Sequence, residues 1–256
     1  MMKYYNPYEF AARSLYNRLR SDLTLESFIS RRKLKNHHNK YVGKKAIILC
    51  NGPSLLDVDF DLLDGVYTFG LNKINLLFNK KEFRPSSIVS VNPHVIEQNK
   101  QFFNSTDIPL FMDSRSKKHI SNKNSIFIHS SSERIFSETP YISFYQGFTV
   151  TFVAMQLAYY FGFKEIALVG CDHSFATKGK ANKEVVSGDS DPNHFDKNYF
   201  AGGVKWQLPD LFQSEVSYQM AKDIFEENGR SIFNCTTGGE LEVYKRRSLK
   251  EFIDSK

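Results

Sequence analysis

Short apolar runs punctuated by turn residues recur along the chain, and four of them end in a carboxamide or a carboxylate. Residues 46–50 precede Asn51, 67–71 precede Asn72, 88–91 precede Asn92 and 166–171 precede Asp172. Their length and their β-branched and aromatic content predict buried strands. Residues 149–162 follow another period: Val150, Val153, Ala154, Leu157, Ala158 and Phe161 fall at helical spacing, with Thr149 placed to cap the start and Gly162 to end it. This rhythm of strand, turn, helix and strand predicts a parallel sheet with crossover helices. Further extended runs at 109–112, 125–129 and 231–235 continue the pattern. Helices are predicted over 94–103 and 212–228, the second with Phe212, Val216, Met220 and Ile224 on one stripe. Segment 176–210 is polar and irregular, yet its Phe195, Tyr199, Phe200 and Trp206 predict a loop that packs as a lid. The predicted fold class is α/β: a single Rossmann-like domain over 44–256 with a parallel-rich sheet, preceded by a basic helical extension over 1–43.

In an open parallel sheet the ligand sits beyond the carboxyl ends of the strands. A chain that puts a hydrogen-bonding side chain there four times predicts a pocket for a polar ligand. Asparagine offers both donor and acceptor, so several can read a base, a ribose and a phosphate without net charge. Composition narrows the class. The sequence holds no apolar run long enough to span a bilayer, and its first residues lack the apolar segment of a secretory signal. Cys50, Cys171 and Cys235 lie far apart at strand ends, which predicts buried thiols rather than a disulfide or a zinc site. A cytoplasmic protein is expected. The net charge of +6 is concentrated in residues 1–40, where nine Lys/Arg face three acids, and the remainder is balanced. That distribution argues against a nucleic-acid-binding face. The interleaved Tyr, Phe and Leu of this basic head fit peripheral contact with an anionic membrane, at the inner face of the cytoplasmic membrane. They equally fit a helical appendage packed on the domain or on a partner, a second copy included.

Asn51-Gly52-Pro53-Ser54 follows the first strand. Gly52 permits close backbone approach, and Ser54 with the following amides can donate to an anion at a helix start; the same residues also make a tight turn. The stretch is neither GxGxxG nor GxxxxGK[ST], so no dinucleotide or Walker-type assignment follows. Gly147-Phe148-Thr149-Val150-Thr151 opens the 149–162 helix, whose free N–H groups and dipole can hold phosphate with Thr149 or Thr151. An ordinary threonine cap is the alternative. Thr236-Thr237-Gly238-Gly239, after the last strand, reads as a second anion nest or as a β-turn. His194, in a polar loop among acids, is the candidate general base for a hydroxyl nucleophile. His173, beside Asp172, is its rival. Asp189-Ser190-Asp191 matches a DxD pattern of hard oxygen ligands for Mg²⁺ or Mn²⁺. It does not directly follow an apolar strand, and such triplets are frequent by chance. Asp189 and Asp191 are therefore secondary metal candidates, and no cofactor is expected to be required.

With these residues in hand, the stretch from about Lys44 to Tyr244 resembles the bacterial proteins grouped with the MptE-like domain, once called domain of unknown function 115. More distantly it resembles the lipooligosaccharide sialyltransferases of glycosyltransferase family 42. The motifs that carry this are Asn51-Gly52-Pro53-Ser54-Leu55, Asn72, Asn92-Pro93, the Gly147-to-Asp172 helix–strand unit with Gly162-Phe163-Lys164-Glu165-Ile166, and His194. The sialyltransferase resemblance implies a CMP-sugar donor contacted by Asn51, Ser54, Asn72 and Asn92. It also implies Thr149 near the phosphate, Thr236-Thr237-Gly238 at the nucleotide, His194 as base, a cell-surface or lipid-linked glycan acceptor, and no metal. One position departs: the family's tyrosine two residues past the strand-end aspartate is Ser174 here. The MptE-like resemblance implies instead transfer of a diphosphate from ATP to a hydroxymethyl pterin, with Mg²⁺. A module that binds a nucleotide without catalysis is the third reading.

Overall fold

The computed structural model describes residues 6–176 and 179–255. In chain order, α1 (Pro7–Asp22) and α2 (Leu25–Lys35) lead into β1 (Lys45–Leu49), β2 (Tyr67–Leu71) and β3 (Ser87–Ser90). The short helices α3 (Pro93–Gln98) and α4 (Lys100–Ser105) precede β4 (Leu110–Asp113) and β5 (Ser125–Ile128). A two-residue pair, β6 (Ser130–Ser131) and β7 (Phe144–Tyr145), precedes α5 (Val150–Phe161) and β8 (Glu165–Val169). A hairpin of β9 (Glu184–Val186) and β10 (Lys205–Gln207) lies in the lid; α6 (Leu211–Glu227), β11 (Ser231–Asn234), β12 (Lys245–Arg246) and α7 (Leu249–Asp254) close the chain.

The main sheet has eight strands in the order β12-β11-β8-β1-β2-β3-β4-β5, and every pairing in it is parallel. Strands β1 to β5 step outward on one side. The chain then returns through α5 and lays β8 on the other side of β1, so the direction of winding reverses between β1 and β8. A crevice opens beyond the carboxyl ends of the strands at such a switch point. The strand-end turns after β1 and β8 are the ones carrying Asn51 and Asp172.

Burial explains why β1 reads as a continuous apolar run. Ala46, Ile48 and Cys50 pack into the layer that holds α5, while Ile47 and Leu49 pack into the opposite layer. Helical spacing predicts one apolar face on α5, but its residues from Thr151 to Phe161 are all buried. The helix is enclosed by the sheet, by α6 and by the segment before β7, where Phe136 meets Phe152 and Tyr159 edge-on. Gln156, wholly buried, is satisfied by Ser137 N, Tyr145 N and Tyr145 O at 3.0, 3.3 and 2.8 Å. On α6 the predicted stripe splits: Met220 and Ile224 pack, partly buried, against the core that holds α5, and its first two residues turn outward. Phe212 is 70% exposed and Val216 45%, whereas Ser214, Ser217, Tyr218, Ala221 and Phe225 face inward. Small side chains let α6 approach α5, and the two aromatics supply the contact; spacing identifies a stripe without saying which side has a neighbour. The predicted helix over 94–103 is two helices that meet at Asn99, whose amide pairs with that of Asn75.

The extension is tied to the sheet. Ser30 Oγ accepts the Phe127 N–H at 2.9 Å, so α2 covers the edge strand β5. The turn that follows donates from Asn39 N and Tyr41 N to the last carbonyls of α5, and the His37 ring stacks on Phe161. Helix α1 buries no residue, and Lys3 of the basic head lies outside the described residues. The three cysteines are buried and free. No helix among the described residues is long and apolar enough to cross a membrane.

Candidate active site at the carboxyl ends of the strands

A cavity of about 470 Å³ opens at the carboxyl ends of β1, β2, β3 and β8 beneath the lid. Asn51, Gly52, Asn72, Asn92, Gly147, Thr149, Asp172, His173 and His194 all line it. Ser54, Asp189, Asp191, Thr236, Thr237 and Gly238 do not. A broader cleft of about 1200 Å³ lies at the amino ends of β1 and β2, among Lys44, Asp59, Asp64 and Arg84. That is the end of a parallel sheet away from its ligand-binding loops.

The asparagines differ in what they leave free. Asn51 donates from Nδ2 to Leu71 O at 2.9 Å and to the Tyr199 hydroxyl at 3.1 Å, which fixes the amide. Its Oδ1 is buried and has no hydrogen-bond partner among the described residues. A buried acceptor of this kind calls for a donor, and this one belongs to a residue lining the cavity. Asn72 holds a left-handed backbone at φ 49 and accepts from Ser90 Oγ at 3.3 Å. Asn92 Oδ1 accepts the His94 N–H at 2.9 Å and so caps α3.

The turn after β1 is held by the turn after β8. Ser54 donates its hydroxyl to Asp172 Oδ2 at 2.8 Å, with the Ser54 N–H at 3.4 Å from the same oxygen. Ser54 therefore faces a carboxylate of the protein itself. Asp172 packs directly over Gly52, where a Cβ would come 1.9 Å from Asp172 Oδ2. At the start of α5, Gly147 and Phe148 are both left-handed, at φ 60 and 63. This sharp turn aims the amino end of α5 at the cavity, which Val150 and Thr151 also line. Thr149 Oγ1 caps the helix by accepting Thr151 N–H and lies 3.4 Å from the Tyr218 hydroxyl. The Thr236–Gly239 turn packs behind Cys171 and Asp172 without lining the cavity itself. Thr236 Oγ1 accepts Cys171 N–H at 3.0 Å, and Arg246 donates to the carbonyls of Gly238 and Gly239 at 2.6 and 2.8 Å. The carbonyls of this turn thus hold a guanidinium.

Two histidines reach the cavity, each with a carboxylate. His194 Nδ1 lies 2.8 Å from Asp191 Oδ2, and its ring stacks on Tyr199 at 4.0 Å. Asp191 is buried. Burial raises its pKa, but the hydrogen bond and charge of His194, with the N–H groups of Asn193 and Phe200, outweigh that and hold the carboxyl below its ordinary value. Both Asp191 oxygens are engaged by these donors, while Asp189 is exposed. The DxD pair does not converge. His173 Nε2 lies 2.9 Å from Glu215 Oε1 on α6.

Sequence reasoning missed the fastening of the lid. Lys73, buried beside Asn72, donates from Nζ to Tyr199 O at 2.6 Å and to Gln98 Oε1 at 2.8 Å. Burial lowers its pKa to about 8 against the opposing attraction of Asp191. Phe195 N donates to Asn51 O at 2.9 Å, and Lys80 pairs with Asp196 at 2.8 Å. Lys73 follows a strand end like the asparagines do, and that position was the one local signal available; Glu215 on an exposed helix face had none.

These features define an α/β protein with a polar ligand cavity at the switch point of a parallel sheet, closed by an aromatic lid. The chain belongs to the 6-hydroxymethylpterin diphosphokinase MptE-like family, whose model matches residues 24–178, more than half of the sequence. No curated protein matches it. Among solved structures it is similar to the MAf glycosyltransferase from Magnetospirillum magneticum AMB-1, with a TM-score of 0.51 and 17% identity. That match covers 96% of this chain and 42% of the other, so the present chain spans less than half of that protein; the likeness is one of fold.

Proposed function

We propose that the protein is a sialyltransferase-like glycosyltransferase that moves a sugar from a CMP-activated donor to a hydroxyl of a cell-surface glycan. The observation that carries this reading is the His194–Asp191 pair at a cavity whose other polar walls include three asparagine amides. With Nδ1 held by Asp191, Nε2 is the nitrogen left to take the acceptor proton. The acceptor oxygen then attacks the anomeric carbon with inversion, and the amino end of α5 faces the departing phosphate. The shared fold with a glycosyltransferase supports the direction of the assignment.

The family description favours a second reading, diphosphate transfer from ATP. That chemistry calls for Mg²⁺ held by carboxylates and a cationic clamp on the phosphates. Here Asp172 faces Ser54, Asp191 faces His194, and Lys73 faces the lid backbone. These groups are thus engaged within the protein, and among the described residues no three His, Cys, Asp or Glu side chains gather together.

Thermal stabilisation by CMP, UDP, GDP and ATP, each with and without Mg²⁺, tests the choice, because a ligand of the folded state raises the midpoint. Stabilisation by CMP without metal is expected; stabilisation by ATP with Mg²⁺ alone sinks the glycosyltransferase reading. Binding with no turnover of any donor assigns a nucleotide-binding module instead. The basic head is proposed to bring the enzyme to a lipid-linked acceptor at the inner membrane face. On α1 and the turn after it, Tyr8, Leu15 and Leu23 are 85%, 61% and 83% exposed beside Arg13 and Arg20, a combination suited to an anionic interface.

A further inference from the structure

His173 carries features that base catalysis by His194 leaves unused. Its backbone is left-handed at φ 54, a conformation uncommon for residues with a side chain and concentrated at functional sites. Its side chain is only 5% exposed and is hydrogen-bonded through Nε2 to Glu215. Its ring lies 5.9 Å from that of Tyr218, whose hydroxyl reaches Thr149 Oγ1, the cap of α5. The cavity therefore holds two imidazole–carboxylate pairs, one on the lid and one beside the amino end of α5. Group transfer to a hydroxyl with loss of a phosphate needs two opposite services: a base at the nucleophile and a cationic donor at the leaving oxygen. The α5 end is the natural place for the leaving anion.

We propose that His173, held by Glu215, donates to the departing phosphate while His194 serves the acceptor. The assignment rests on the glycosyltransferase reading. Glu215 accepts the Nε2–H hydrogen bond, so in the imidazolium Nδ1–H is the second donor, toward the phosphate oxygen. The bond from the acceptor oxygen to the anomeric carbon forms, and the acceptor proton passes to His194 Nε2. The bond from the anomeric carbon to the phosphate oxygen breaks, its electron pair stays on that oxygen, and the oxygen takes the His173 Nδ1 proton. Exchange with water returns a proton to His173 and removes one from His194. The titratable groups around His173 are Glu215 and Tyr218 on α6 and Cys171 and Asp172 on its own segment; α5 contributes the Thr149 hydroxyl and its dipole.

The test is calorimetric titration with the methyl ester of CMP, a phosphodiester of constant charge from pH 5.5 to 8, with cytidine as the phosphate-free control. One protonated contact predicts about tenfold tighter binding of the ester at the lower pH, and no such response for cytidine. His173→Asn, which tolerates the left-handed backbone, should bind weakly at both pH values. His194→Ala should keep the response, and Glu215→Gln should weaken it by loosening the ring that the carboxylate holds. An undiminished response in His173→Asn overturns the proposal, as does one that Glu215→Gln leaves unchanged. If sugar is transferred while His173→Asn responds like the parent, this assignment falls and the glycosyltransferase reading stands. If the response depends on His173 but no CMP-sugar is turned over, the phosphate contact stands and that reading falls.

Discussion

Replacing Gly52 by alanine should break the contact that joins the β1 and β8 turns. The backbone there is ordinary, at φ −70 and ψ 164, so alanine meets no conformational penalty. The obstacle is contact: the new Cβ would sit 1.9 Å from Asp172 Oδ2 and 2.8 Å from Gly170 O. The Asp172 side chain can swing away only by giving up the Ser54 hydroxyl at 2.8 Å. Gly170 O, which accepts Gly52 N–H at 2.9 Å, can yield only if the crevice itself widens. Losing a hydrogen bond to a charged group costs ~1.5–3 kcal/mol, and forcing a methyl into a close-packed site costs ~1–3 kcal/mol. Asp172 is partly exposed, which favours the lower end, so the expected destabilisation is about 3 kcal/mol. In a domain of this size that lowers the midpoint by about 6–12 °C. Urea titration with an unchanged m-value reads it directly. Adding Asp172→Ala should relieve part of the clash, leaving the double variant about 1–2 kcal/mol better than the sum of the singles. A loss below about 1 kcal/mol for Gly52→Ala, or strict additivity, refutes the steric account. Gly65 is the control: it is left-handed at φ 72 with nothing near its Cβ, so alanine there acts through the backbone alone.

Other consequences are checked by separate measurements. Asp191→Asn should lower donor turnover toward the ~10²–10⁴-fold loss expected for His194→Ala, while the thermal shift caused by CMP is retained; full activity in Asp191→Asn dismisses its positioning role. Lys73 titrates near 8 when folded because burial disfavours its charge and near 10.4 when unfolded. Between those values the unfolded chain binds more protons, so this group's contribution makes stability rise with pH. Urea titrations from pH 7.5 to 10 should show that rise in the parent relative to Lys73→Met, and a constant difference contradicts it. Flotation with phosphatidylglycerol vesicles should capture the protein at low salt, phosphatidylcholine vesicles should not, and 0.5 M salt should release it by screening. Self-association without vesicle capture assigns the exposed α1 face to a second copy.

The strand ends were legible because their signals are local. A strand buried on both faces must be apolar throughout, as β1 is from Ala46 to Leu49, and the polar residue after it marks its end. Thr149 and Gly162 punctuate α5 for equally local reasons, one by its side-chain acceptor and one by φ 91. The face that α6 buries was legible only in part: Met220 and Ile224 pack against the core, while Phe212 and Val216 turn outward and Ser214 and Ser217 face inward. The lid hairpin was missed because β9 and β10 are three residues each and mostly exposed.

The amino-acid sequence by itself determined the class of fold, the strand-end asparagines and the presence of a packed aromatic loop, because strand burial, capping and turn chemistry act over a few residues. The tertiary structure decided which partners those groups meet within the protein. Ser54 is claimed by Asp172 across 118 residues, His173 by Glu215 across 42, and Asn51 by Tyr199 across 148. Hydrogen-bond capacity is finite. Whether a polar side chain faces a ligand or another part of the protein therefore depends on where a parallel sheet brings distant segments together.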